Sequence, residues 1–308
     1  MFSHHEILMI FALVLYLTIS LLNSPATGEN RIPFDSHYTV DYGQDHVQFL
    51  DSQKTLVQLS LDSDSGARFS SKVKYESGLF GIRIKFPPGN SAGVVTAFNL
   101  RSEDKEFDGI NLEILGSNIG QNFSIQTNVF VNGVGNKQHE IALPFDASEE
   151  FHEYNILWNS HLILTYVDDI AFRIFKNNSA IGVGYPSKPM KIFASVSNGS
   201  DDLIRTDSGR SRTKIDWRDA PFAAQFKSLD YDVDQACISN STTTTKHKEG
   251  RGDCGSTRKT GWDTIRDLPI GLIDWYEAMR HLITYDYCND TKIHPLPPPE
   301  CKSNIKYL

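Results

Sequence analysis

Between residues 55 and 167, apolar and polar side chains alternate in short stretches: 55–61, 78–86, 94–100, 110–115, 124–131, 154–158 and 162–167. A period of two is the period of a strand, because successive Cβ atoms point to opposite faces of a sheet; a helix repeats its apolar residues every three or four. Turn chemistry separates the stretches at Asp64-Ser65-Gly66, Pro87-Pro88-Gly89-Asn90 and Asn132-Gly133. Glycine and asparagine tolerate the left-handed backbone that tight turns require. With no helix between strands, there is no crossover to support parallel pairing. The pattern therefore predicts an all-β fold, an antiparallel β-sandwich of jelly-roll type, without an internal repeat.

The last quarter of the chain breaks the pattern. Residues 239–248 are polar and read as a loop, and Ile270, Ile273, Tyr276, Met279 and Ile283 then recur at helical spacing. A C-terminal amphipathic helix is expected there, followed by an extended tail set by Pro297-Pro298-Pro299. The organisation read from these changes is a leader over residues 1–28, a sandwich domain over 29–230 and a small C-terminal extension over 231–308. The 308 residues, 40% of them hydrophobic, suffice for one large core or two modest ones.

Charge excludes one class of partner. A formal charge of −8 leaves no surplus of lysine and arginine to displace the counterions of a nucleic acid. Residues 7–22 are apolar apart from Thr18 and Ser20, and Ser24-Pro25-Ala26-Thr27 follows, which reads as a secretory signal. An uncleaved anchor is the alternative, although spanning a bilayer takes about 20 apolar residues. Secretion makes disulfides the expected use of Cys237, Cys254, Cys288 and Cys301. Four cysteines allow three pairings, of which Cys237–Cys254 with Cys288–Cys301 closes the shortest loops. Zinc is a weak alternative, since no Cys-x-x-Cys spacing occurs, and no metal or cofactor is expected. Glycan acceptor sequences stand at Asn122, Asn177, Asn198, Asn240 and Asn289.

The stretch Asp108-Gly109-Ile110-Asn111-Leu112-Glu113-Ile114-Leu115-Gly116 is the candidate for chemistry. Alternation places Gly109, Asn111 and Glu113 on one face and Asp108 with Glu106 on the other. A retaining glycosidase needs two carboxylates about 5 Å apart, one to attack the sugar and one to deliver and then remove a proton. Glutamates at 109 and 113 would lean toward each other across roughly 13 Å of strand and meet that need.

Glu113-Ile114-Leu115-Gly116 resembles the second half of the signature strand of the xyloglucan endotransglucosylase/hydrolase family, Glu-Ile-Asp-Phe-Glu-Phe-Leu-Gly. The likeness extends to Pro88-Gly89-Asn90-Ser91-Ala92-Gly93, Gln126-Thr127-Asn128-Val129-Phe130 and Phe151-His152-Glu153-Tyr154-Asn155-Ile156-Leu157-Trp158-Asn159. It continues through Tyr166-Val167-Asp168-Asp169, Lys214-Ile215-Asp216-Trp217 and Ala220-Pro221-Phe222. Finally, the region from Tyr285-Asp286-Tyr287-Cys288 to Pro298-Pro299-Glu300-Cys301 resembles the disulfide-bonded extension that sets these enzymes apart within glycoside hydrolase family 16. The resemblance implies a concanavalin-like jelly roll, a plant cell-wall location and a groove for xyloglucan or a related wall β-glucan. It implies a monomer that leaves the membrane once its signal is cleaved, and an activity that cuts and rejoins glucan chains.

It also implies roles for individual residues. Glu113 matches the acid/base, Gly109 the nucleophile and Asn111 the helper aspartate. Gln126, Thr127 and Asn128, the polar loop Asn136-Lys137-Gln138, and Asp202 with Leu203 match substrate-binding positions. The departures bear on activity. Glycine has no side chain with which to form a covalent glycosyl-enzyme, and asparagine removes a charge that would tune the carboxylates. Both tryptophans of a family sugar-stacking stretch are absent from Val196-Ser197-Asn198-Gly199-Ser200-Asp201-Asp202-Leu203. A glucan-binding protein with lost or impaired catalysis is expected. The alternative is an active enzyme that recruits Asp108 or Glu106 through a bulge at Gly109, or an inverting reaction in which one of these activates water. Trp158 is expected in the core, and the histidines are assigned no role.

Overall fold

The computed structural model describes residues 32–168, 170–199, 213–231, 236–239, 261–267 and 280–304. Their strands are β1 (Tyr38–Tyr42), β2 (Val47–Phe49), β3 (Leu56–Leu61), β4 (Ala67–Ser71), β5 (Tyr75–Lys85), β6 (Val94–Arg101), β7 (Gly109–Leu115) and β8 (Ser124–Phe130). They continue as β9 (His139–Ala142), β10 (His152–Trp158), β11 (Leu162–Val167), β12 (Ile170–Lys176), β13 (Lys191–Asn198), β14 (Phe222–Tyr231), β15 (Cys237–Ile238) and β16 (Ile283–Asp286). Two short helices, α1 (Phe34–His37) and α2 (Pro299–Asn304), stand near the ends.

The strands form two antiparallel sheets. The first runs β1-β4-β13-β6-β7-β8-β9-β16, and the second runs β12-β11-β10-β5-β14-β3-β2 with β15 paired to β5. Alternation explains how they meet. Phe98 and Leu100 of β6, Ile110, Leu112 and Ile114 of β7, and Ile192, Ala194 and Val196 of β13 are all buried on one face of the first sheet. They join one core with Leu59 of β3, Phe80, Ile82 and Ile84 of β5, Tyr154, Ile156 and Trp158 of β10, and Phe226 of β14. This is the jelly-roll sandwich that the period of two predicts, and Trp158 sits in its core.

A second apolar cluster covers part of the other face of the second sheet, where Trp262 from the C-terminal extension packs with Leu157, Leu162, Leu164, Ala171 and Ile174. At the β8–β9 connection Asn132 and Gly133 both take positive φ, 50° and 78°. That is the left-handed pair a tight hairpin turn demands of an Asn-Gly sequence.

The C-terminal region departs from the sequence reading in two places. Residues 268–279, which hold most of the expected amphipathic helix, lie outside the described residues, and its last member, Ile283, instead begins β16 and pairs with Ile141 of β9. The proline run does not give an extended tail: Pro299 opens α2, since proline's fixed φ and missing N–H suit the first turn of a helix. Cys288 and Cys301 form the expected disulfide. Cys237 is also disulfide-bonded, and Cys254 lies outside the described residues. Among the described residues no helix is long and apolar enough to cross a membrane, and the apolar stretch 7–22 lies outside them.

Candidate active site

The solvent-side face of the first sheet is built from the residues between the buried ones, and strand register aligns them in rows. One row runs Ser195, Ala97, Glu113, Gln126 and Glu140 across β13, β6, β7, β8 and β9. The next runs Phe193, Asn99, Asn111 and Asn128, and a third runs Lys191, Arg101, Gly109 and Phe130. Gly109, Asn111, Glu113, Gln126 and Asn128 therefore share one face, as their spacing requires.

Glu113 lies deep in this face at 2% exposure. Asn111 donates its Nδ2–H to Glu113 Oε1 at 2.9 Å, so the amide at 111 is bonded to the carboxylate beside it on the same face. Gln126, opposite Glu113, has its Oε1 buried without a partner. Both polar side-chain atoms of Gln138 are likewise buried and unpartnered, and Gln138 precedes the core-facing His139, which places it on the groove side. Buried amides without partners carry a desolvation cost that sugar hydroxyls would relieve.

The remaining residues sort by face. Asn128 Oδ1 accepts from the N–H of Val129 and of Lys137, which ties the loop Asn136-Lys137-Gln138 to the groove wall. Asn136 adopts a left-handed φ of 60°, and its carbonyl contacts His294 Nε2 at 2.9 Å. Lys137 is half-buried, and burial holds its ammonium below the usual lysine range, opposed by Glu300 and reinforced by Arg173. Thr127 belongs to the opposite face: it is 3% exposed, and buried Arg173 of β12 donates to both its carbonyl and its Oγ1 at 3.1 Å. It braces the two sheets and does not line the groove. Asp202 and Leu203 lie outside the described residues. Of the glycan acceptors, Asn122, Asn177 and Asn289 are exposed, Asn198 is half-buried at the end of β13, and Asn240 is outside the described residues.

Position 109 is bare in a specific way. A Cβ built there would meet the Leu100 carbonyl oxygen and the edge of the Phe107 ring at 3.5 Å, ordinary contact distances. Phe107 also packs against Phe130, with ring centroids 5.2 Å apart, and carries the Arg101 guanidinium 3.8 Å from its centroid. Arg101 and Phe130 flank Gly109 in register, so the Phe107 side chain leans back across the glycine. Asp108 is directed elsewhere: it is 1% exposed, and its carboxylate accepts from the N–H groups of Asn132, Ser187 and Lys188. Glu106 is exposed on the preceding loop.

Sequence reasoning missed the groove's aromatic and cationic members. The Arg68 guanidinium of β4 lies 5.2 and 5.1 Å from the ring centroids of Tyr42 and Phe193, and Phe130 and Phe107 add further rings. The signal was present in β13, where Lys-Ile-Phe-Ala-Ser-Val-Ser-Asn sets Phe193 on the polar side of an alternating strand.

Residues 34–219 match the model of glycosyl hydrolases family 16. The chain is 41% identical to xyloglucan endotransglucosylase/hydrolase protein 2 of Arabidopsis thaliana over 94% of its own length and 96% of that protein's. It is 41% identical to putative xyloglucan endotransglucosylase/hydrolase protein 1 of the same plant, covering 96% of each chain. With xyloglucan endotransglucosylase protein 2 of Diospyros kaki it shares 38% identity across 88% of both. The chain therefore belongs to glycosyl hydrolase family 16 and, within it, to the plant xyloglucan endotransglucosylase/hydrolase proteins.

Proposed function

We propose that this protein binds xyloglucan or a related wall β-glucan in the groove of its first sheet, and that it cuts and rejoins that glucan weakly or not at all. The observation that carries the reading is the state of β7. Glu113 remains in the acid/base position, while Gly109 has no group to attack a sugar and form the glycosyl-enzyme on which both transfer and retaining hydrolysis depend. The partly unpartnered amides of Gln126 and Gln138 and the half-buried rings of Phe107, Phe130 and Phe193 on the same face support continued sugar binding. The relatives named for xyloglucan suggest which sugar. In this reading the protein is secreted, glycosylated at its exposed acceptors, monomeric and free of cofactors.

The alternative, an active enzyme with a repositioned carboxylate, is weakened by the bonds its candidate already makes. Three backbone N–H groups hold the Asp108 carboxylate on the far side of β7. Turning it into the groove would leave those donors unsatisfied, at about 1–3 kcal/mol each.

The test follows xyloglucan chain length and label transfer to a xyloglucan oligosaccharide, for the natural protein and for Gly109→Glu, alongside calorimetric binding. The expected outcome is that both bind, the natural protein leaves chain length unchanged, and Gly109→Glu gains transfer or cleavage. Turnover by the natural protein at rates matching an intact enzyme would defeat the reading, and so would absence of binding by both.

A further inference from the structure

The row that has lost its carboxylate has an unbalanced cation beside the gap. Arg101 stands directly across from Gly109, is half-buried, and lies flat against Phe107. Burial, then repulsion from Arg68, holds its guanidinium below the usual range, with no acidic group among the described residues countering either effect. A guanidinium nevertheless stays charged throughout ordinary pH.

The neighbouring charges do not cancel it. Lys191, opposite Arg101 on the other side, pairs with Glu103 at 2.8 Å, and Lys74 pairs with the same carboxylate at 2.8 Å. Arg68 pairs with Asp41 at 2.9 Å. Among the described residues this corner therefore sets four cations, Arg101, Lys191, Lys74 and Arg68, against three carboxylates, Glu103, Asp41 and Asp104, in a protein whose formal charge is −8. Stacking uses the flat face of the guanidinium and leaves its in-plane N–H groups free for a planar, bidentate acceptor.

We propose that Arg101, with the Phe107 and Phe130 rings over Gly109, forms a recognition site for a uronic acid residue. The sugar's carboxylate takes the guanidinium edge, and its ring lies against the phenyl faces. The ligand thereby supplies negative charge to a row from which the protein's own carboxylate is missing. Arg101 is then a specificity-determining residue that selects acid-bearing β-glucans over neutral ones. The inference rests on the groove binding a glucan at all, and it adds the chemical class of the side group.

A matched pair of probes tests it: a β-1,4-glucan oligosaccharide and the same oligosaccharide oxidised to the carboxylate at C6, titrated calorimetrically into the full-length protein at low and physiological salt. We expect the oxidised probe to bind about tenfold more tightly at low salt, the ratio shrinking as salt screens the pair. Arg101→Gln should bring the ratio to about one while neutral affinity stays within about twofold, and Arg101→Lys should keep an intermediate ratio because the charge survives without the fork. Equal or weaker binding of the oxidised probe to the natural protein would overturn the proposal, as would a preference that persists in Arg101→Gln. Arg101-dependent binding of the oxidised probe with none of the neutral one would uphold this site while sinking the neutral-glucan reading. Neutral binding with no gain from the carboxylate would do the reverse.

Discussion

Individual side chains in this fold are tuned by what surrounds them, and His139 is a case where the consequence is measurable. It lies on the core face of β9, and burial, with Arg173 adding repulsion, lowers its pKa from 6.5 to about 3. The unfolded chain takes up a proton between those values that the fold refuses, so the contribution to stability is complete above pH 6.5 and drains as pH falls toward 3. Between neutrality and about pH 4.5 the loss amounts to roughly 3 kcal/mol. His139→Gln should lose distinctly less stability over that interval when denaturant midpoints are compared. Equal losses in both proteins would show that other groups set the acid response. The sequence carried no hint of this histidine, since nothing local marks a neighbour contributed by a strand 34 residues further on, counting from position 139 to 173. Glu113, Asn111 and Gly109 were legible because period two alone assigns their face. Phe107 was not, because it reaches this face from a loop and no periodicity governs loops.

Among elements, β7 shows why the two faces of one strand must be argued separately. One face carries Gly109, Asn111 and Glu113, while Asp108, one residue before its start, gathers three separate segments: the 102 loop through Ser102, the Asn132 turn, and the stretch at Ser187 and Lys188. A buried carboxylate bonded this way is structural. Asp108→Asn replaces an acceptor with an N–H donor facing N–H groups, and we expect about 2–4 kcal/mol of lost stability by denaturant unfolding, with glucan affinity unchanged within about twofold. Loss of affinity or of residual activity beyond the unfolded fraction would restore Asp108 to the chemistry. The strands with strong alternation were legible to within three residues at either end; 162–167 coincides with β11, and 78–86 meets β5 three residues late. β12 was not singled out, because Ile170–Lys176 is buried over most of its length and a doubly buried strand loses the alternation that would reveal it. The helix expected to take in Ile283 failed there for a related reason: an exposed edge of the first sheet captured those residues as β16, and tertiary pairing overrides local spacing.

At the scale of the whole molecule, the C-terminal extension holds the sandwich at three places. β16 completes the first sheet against β9, Trp262 covers apolar residues on the outer face of the second, and Tyr287 closes over Arg173 while its hydroxyl bonds Glu300 at 3.4 Å. The Cys288–Cys301 disulfide, spanning 13 residues, fixes that third contact by keeping α2 beside Tyr287. For a loop of this size the constraint is worth about 3 kcal/mol, and it acts on a region away from Glu113. Cys288→Ser with Cys301→Ser should therefore speed hydrogen exchange at Tyr287, whose N–H bonds the Gln138 carbonyl, and along β9, while the amides of β6 and β7 stay protected. Gln138 is the link to function, since its carbonyl takes the Tyr287 N–H while its buried side chain belongs to the candidate site. If the groove wall depends on the clamp, glucan affinity falls in the double variant although β7 is untouched. Unchanged affinity with fast exchange at β9 would instead show that the groove's binding energy resides in the central strands, and that the extension serves stability alone.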